Sequence, residues 1–136
     1  MDIEIELLLK PKACPRPRIA VRGKFAHAYY PKTYSDWKAE ILDMLQNAYP
    51  DDVETPIFEG PVYLEVINYM KRPKTTKRTY PPYDLDNYVK SVMDGITSHK
   101  GIWKDDDQVC VLTTSKEYAE EDKITIKIQE SNLNEV

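Results

Sequence analysis

Apolar and polar residues alternate through residues 2–10, with Ile3, Ile5, Leu7 and Leu9 on one side and mostly acids on the other. A period of two marks a strand with one buried face. Residues 15–31 read as an irregular β-hairpin with Arg22-Gly23 at its turn, and its flanks carry Arg16, Arg18, Lys24, His27, Tyr29 and Tyr30. A helix is predicted from Tyr34 to Ala48, where Trp37, Ile41, Met44, Leu45 and Ala48 form an apolar stripe. Thr33 or Ser35 can cap it, and Asp36 suits the positive end of its dipole. Residues 49–61, rich in Pro and acids, read as a loop, and residues 62–70 as a well-buried strand.

Residues 71–82 are a basic loop. A second helix is predicted from Leu85 to Ser98, with Leu85, Tyr88, Val89, Val92, Met93 and Ile96 on one side. Residues 108–117 and 123–129 read as strands, with Glu120-Glu121-Asp122 as the turn between them, and the last residues look frayed. The order β, hairpin, α, β, α, β, β predicts one α+β domain over residues 1–136, with a mixed sheet, a hairpin and two packed helices.

Composition narrows the class. A chain of 136 residues with 41% hydrophobic and 31% charged residues suits a single domain with a real core. No apolar run approaches a membrane span, and Met1-Asp2-Ile3-Glu4 lacks the layout of a signal peptide. Cys14 and Cys110 form no CxxC pair, so neither a zinc site nor a disulfide framework is expected, and a cytoplasmic location is.

The net charge of −4 opposes a nucleic-acid partner until its distribution is read. Lys10 to Lys38 holds eight Lys or Arg and one acid, Asp36, a net +7. Lys71, Arg72, Lys74, Lys77 and Arg78 form a second basic stretch without an acid. Acids gather at Asp84 and Asp86, at Asp105-Asp106-Asp107, and near the C-terminus. Basic segments beside an acidic cluster are what phosphodiester cleavage needs: cations for the phosphates and carboxylates for a metal.

The chemistry concentrates in two stretches. In Asp84-Leu85-Asp86-Asn87-Tyr88-Val89-Lys90, Leu85 faces the core and both neighbouring acids can point away from it. Asp86 and Lys90 share a helical face. The ordinary use of these residues is an N-cap at Asp84 and an Asp86–Lys90 surface pair worth about 0.3–0.5 kcal/mol. In Trp103-Lys104-Asp105-Asp106-Asp107-Gln108-Val109, three adjacent carboxylates repel one another, which solvent or a divalent cation relieves. If the following strand lies beside the second helix, Asp84, Asp86 and one of the triplet converge, and such hard oxygen ligands suit Mg²⁺ or Mn²⁺.

Competing motifs fail by spacing. An EF-hand loop from Asp84 would put Tyr88, Val89 and Gly95 where a ligand, Gly and Glu belong, and from Asp105 it meets Val109. His27 and His99 lie in unrelated contexts, against mononuclear zinc. Four glycines make no phosphate-cradling loop, and no Ser or Cys has a nucleophile's setting.

Asp84-Leu85-Asp86-Asn87-(x)2-Lys90 followed by Trp103-x-Asp105-Asp106-x-Gln108-Val109 resembles the RusA family of Holliday junction resolvases. The resemblance spans most of the chain, including the first strand, the basic hairpin with its tyrosines, the first helix and the basic loop. It implies a RusA-like fold and a cytoplasmic, Mg²⁺-dependent homodimer that cuts four-way DNA junctions by symmetric nicks in recombination and repair, often of phage or prophage origin. By resemblance Asp84, Asp86 and Asp106 are the catalytic, metal-binding aspartates, Lys90 the catalytic lysine, and Asp105 the neighbouring acid. Asp107 lengthens the acidic run beyond the family pattern. Arg16, Arg18, Arg22, Lys24 and Lys71, Arg72, Lys74, Lys77, Arg78 are expected on the DNA backbone. The competing reading is a non-catalytic nucleic-acid-binding module whose acids are merely capping and solvated.

Overall fold

The computed structural model describes residues 2–131, and the frayed last residues expected from the sequence lie outside them. Strand β1 (Asp2–Leu7) buries Ile3, Ile5 and Leu7 and exposes the acids between them, as the alternation requires. Strands β2 (Arg18–Arg22) and β3 (Phe25–Tyr29) form a separate two-stranded hairpin. Gly23, at φ +61°, supplies the left-handed residue its turn needs. Helix α1 (Lys32–Ala48) begins two residues before the predicted start. Pro31 occupies the N-cap position and no side chain caps the helix, so neither Thr33 nor Ser35 plays the predicted role. Asp36 instead pairs with Lys32 at 3.0 Å on the surface. The buried stripe is Tyr34, Trp37, Ile41 and Leu45, whereas Ala48 is exposed.

Strand β4 (Val62–Lys71) leads through the basic loop into helix α2 (Leu85–His99). A 3₁₀ turn at Asp106–Gln108 precedes β5 (Val109–Ala119), and β6 (Lys123–Glu130) closes the described chain. The four-stranded sheet has the order β1-β6-β4-β5. β6 is antiparallel to both β1 and β4, whereas β4 and β5 are parallel. Parallel neighbours need a crossover, and α2 supplies it. The turn at residues 120–122 therefore joins strands on opposite sides of β4 and passes over its end, where the Lys71 amide donates to Asp122 Oδ1 at 2.9 Å.

The inward side chains of β1, β4 and β6 share one core with α1, α2, Phe58, Ile102 and Trp103. The helices approach closely at Gly95, where a Cβ would lie 2.9 Å from Ile41 Cγ2. His99 is a core residue: the Gly101 amide donates to its Nδ1 at 3.1 Å, which leaves Nε2–H to donate to the Tyr49 carbonyl at 2.7 Å. No described helix is long and apolar enough to cross a membrane.

Candidate active site

Helix α2 carries the first half of the motif. Asp84 is its N-cap residue by backbone geometry, yet its side chain makes no capping hydrogen bond, so the carboxylate is uncommitted. Asp86 lies in the first turn, and Asp84, Asp86 and Lys90 are all exposed. Lys90 does not pair with Asp86. Its Nζ lies 3.9 Å from Asp94 Oδ2, one turn further on. Asp94 is a fixed partner because the buried Tyr34 hydroxyl of α1 donates to the same oxygen at 3.1 Å. Desolvation raises the Tyr34 pKa well above the usual phenol range, with a contribution from the negative charge of Asp94, which keeps the hydroxyl a donor.

The second half of the motif is held by its non-acidic members. Trp103 is fully buried and its Nε1 donates to Thr97 Oγ1 at 2.9 Å. Gln108 Oε1 accepts from the amides of Lys104 and Asp105 at 2.8 and 3.1 Å. Its Nε2 donates to the carbonyls of Phe58 and Gly60 at 3.0 and 2.9 Å. Trp103 and Gln108 thus fix the loop, and Asp105 shares in it through a reciprocal capping box with Gln108 at the start of the 3₁₀ turn. Of the triplet, Asp105 and Asp107 are exposed and Asp106 is half-buried. Burial, then a hydrogen bond with Asp105, then repulsion from Asp105 and Asp94 raise the Asp106 pKa above the usual carboxylate value, while Lys90 opposes them. Asp106 thus lies within electrostatic reach of Asp94 and Lys90, and it is the least exposed acid of the triplet. Asp94 was absent from the sequence reading, although extending the Asp86–Lys90 face by one turn reaches it.

Among the described residues, no three His, Cys, Asp or Glu side chains form a ready-made metal cage. The donor chemistry nevertheless fits a hard divalent cation. Mg²⁺ is commonly held by one or two carboxylates plus substrate phosphates, so such an ion does not require a protein-only cage.

Asp84 opens into a cleft of about 630 Å³ rimmed by Lys10, Lys12, Arg16 and Lys71. The segment that carries three of these cations is pinned to both helices. Trp37 Nε1 donates to the Lys10 carbonyl at 2.8 Å, Ser91 Oγ to that of Lys12 at 2.5 Å, and the Cys14 amide to the Asn87 carbonyl at 2.9 Å. Composition marks Lys10 and Lys12 only as part of a basic segment; these contacts give them their place at the cleft.

The remaining basic residues divide. Register puts Arg18 opposite Tyr29 and Arg22 opposite Phe25, so one face of the hairpin is basic and aromatic, with Lys24 at the turn. The other face is Ile19, Val21, Ala26 and Ala28, with Ile19 and Val21 largely exposed. In the basic loop Arg72 is turned back onto the carbonyls of Thr76 and Arg78 at 3.0 and 3.3 Å, which shapes the loop. The Arg78 guanidinium lies 5.0 Å from the Tyr80 ring centroid, and Lys74 and Lys77 are exposed.

The raised pKa of Asp106 has a stability consequence. A carboxyl that binds its proton more tightly in the folded than in the unfolded state destabilises the fold once ionised, and the penalty fades as pH falls through the folded pKa. In EDTA at neutral pH, Asp106→Asn is expected to melt above the wild type, with the gap closing on acidification. Mg²⁺ should raise the melting temperature of the wild type more than that of the variant. Melting curves from pH 4 to 8 check this, and a variant that melts at or below the wild type at neutral pH without metal contradicts it.

The family model for endodeoxyribonuclease RusA matches residues 9–129. A protein of Bacillus subtilis (strain 168) described as uncharacterized protein YqaN is 31% identical over 135 residues, covering 89% of this chain and 91% of its own.

Proposed function

Because the chain belongs to the RusA family of endodeoxyribonucleases, we propose that it resolves four-way DNA junctions by paired symmetric nicks with Mg²⁺ as cofactor. The observation that carries the reading is the Lys90–Asp94 pair on the Asp86 face of α2, within electrostatic reach of Asp106, on the same helix that Asp84 begins at the wall of a basic cleft. Asp84, Asp86 and Asp106, with Asp105 adjacent, would hold the metal. When bound there, Mg²⁺ or Mn²⁺ supplies water activation and relief of charge on the scissile phosphate. Lys90, half exposed and leaning on Asp94, is oriented to meet the charge that develops as the P–O bond breaks. The cations of the cleft and loop and the basic face of the hairpin hold the flanking phosphates.

A homodimer completes the reading, since a two-fold pair offers one site to each of two strands of a pseudo-symmetric junction. The exposed apolar face of the hairpin supports it, because Ile19 and Val21 gain little by facing water. Nicking of a labelled four-way junction, in Mg²⁺ and in EDTA, against a linear duplex of the same sequence, tests the function. Paired nicks only with Mg²⁺ and only on the junction are expected. Binding without cleavage under any divalent cation would leave a non-catalytic DNA-binding module.

The exposed loop cations give a separate expectation. Replacing Lys74, Lys77 and Arg78 with Gln should weaken junction binding and lower the slope of log affinity against log salt by up to about 3, near 0.9 per lost phosphate contact. Titrations across salt concentration measure it; an unchanged slope takes the loop out of the interface.

A further inference from the structure

We propose that the cleft beside Asp84 is a binding site for one unpaired nucleotide of the strand being cut, with Tyr83 stacking on its base and Lys12 and Arg16 holding its phosphates. The proposal rests on the nuclease reading and adds to it the form of DNA that enters the site.

The cleft has two unlike surfaces. Its rim is cationic, from Lys10, Lys12, Arg16 and Lys71, and suits a phosphate backbone. Its floor is apolar and aromatic, from buried Pro11, Cys14, Met70 and Tyr88. A duplex presents phosphates and base edges but hides the base faces in the stack. Only an unpaired nucleotide offers an apolar, flat π-surface together with its phosphate. A concavity of about 630 Å³ has room for one such unit and none for a paired helix.

Tyr83 is built for display. It lines the cleft, is 70% exposed, and holds a left-handed backbone at φ +72°, which a bulky residue adopts only under constraint. The constraints are visible. Lys116 Nζ donates to the Tyr83 carbonyl, the Tyr88 hydroxyl donates to the Pro82 carbonyl at 2.7 Å, and helix α2 starts immediately after Asp84. Strain held by its surroundings beside an uncommitted carboxylate marks a position kept for contact with a ligand. The branch point of a junction is where such a nucleotide is cheapest to supply, because unstacking costs least where pairing is already disturbed.

The test uses the full-length protein in EDTA, so that no probe is cut. Fluorescence anisotropy follows binding of a short labelled oligothymidylate, a blunt duplex and a four-way junction to wild type, Tyr83→Leu, Tyr83→Phe and Lys12→Gln/Arg16→Gln. Tyr83→Leu should lower the ratio of single-strand to duplex affinity by about tenfold or more, the scale of one lost base stack, with its salt slope unchanged. Tyr83→Phe, which keeps the ring and the same backbone demand, should stay close to wild type. The double charge variant should lower the single-strand salt slope by about 1.4, near 0.7 per cation. It carries the test by itself if Tyr83→Leu fails to melt cooperatively. Junction binding with the single-strand ratio intact in Tyr83→Leu, or with the slope intact in the charge variant, overturns the nucleotide site and leaves the nuclease reading standing. Failure of the wild type to bind any of the three DNAs overturns both.

Discussion

Asp86→Asn is expected to abolish cleavage of a four-way junction while leaving junction binding as tight as in the wild type or tighter. The side chain is exposed in the first turn of α2. Its removal as a charge therefore costs the helix about 0.3–1 kcal/mol at most, through the lost interaction with the dipole. The catalytic cost is of another order. Losing a carboxylate that would hold the proposed metal removes several kcal/mol of charge stabilisation in the transition state. At 1.36 kcal/mol per factor of ten, that is about 10³-fold or more in rate. Binding moves the other way, because one negative charge beside the DNA phosphates disappears and the cations of the cleft and loop remain. Binding isotherms and cleavage time courses on one junction separate the two effects. A variant that cuts at the wild-type rate removes Asp86 from the site; one that neither binds nor cuts gives Asp86 a structural role instead.

How far the chain could be read in advance depended on whether a feature was local. The alternation of Ile3, Ile5 and Leu7, of Ile124, Ile126 and Ile128, and the helical spacing through Val89, Val92 and Ile96 each report a buried face directly, and the structure buries all of them. The order of elements and the mixed sheet follow from the same patterns. Strand order does not. β6 enters between β1 and β4, and β5 becomes an edge strand, through pairings between residues far apart in sequence that no periodicity encodes. Helix α1 starts at Lys32, ahead of the Tyr34 start that a Thr or Ser cap predicts, because Pro31 opens it without a polar side-chain cap.

The site divides along the same line. The two acidic stretches stand out in the sequence because their residue types are costly to cluster. Their supports are contacts at long range: Tyr34 to Asp94 across the helices, and Gln108 to the carbonyls of Phe58 and Gly60. The cleft was hidden for a related reason. Residues 10–16 have no repeating pattern, and they are fixed by single hydrogen bonds from Trp37 and Ser91 and by the carbonyl of Asn87. Side chains that read as core or helix surface in sequence turn out to place the basic rim.

Lys90→Ala is the second large effect, and its two readings predict different results. As a surface residue, Lys90 contributes an i,i+4 pair with Asp94 at 3.9 Å, with the lysine 54% exposed. Such a pair is worth about 0.3–0.5 kcal/mol, so its loss alone would lower the melting temperature by a degree or two and leave cleavage intact. As a catalytic residue, Lys90 brings a preorganised positive charge to the point where negative charge grows in the transition state, and losing one such group costs about 10²–10³ in rate. Asp94 supports the second reading, because a carboxylate anchored by the Tyr34 hydroxyl restricts where the lysine can reach. Lys90 also opposes the upward shift of the Asp106 pKa. Lys90→Ala should therefore fold, bind junctions with near wild-type affinity, and cut them about 10²–10³ more slowly. Lys90→Arg should recover only part of the rate, since the planar guanidinium keeps the charge but changes its shape and reach. Single-turnover cleavage with enzyme saturating over the junction isolates the chemical step from binding and product release. A Lys90→Ala rate within a few-fold of wild type in that assay would return Lys90 to the helix surface and leave the aspartates to do the chemistry without it.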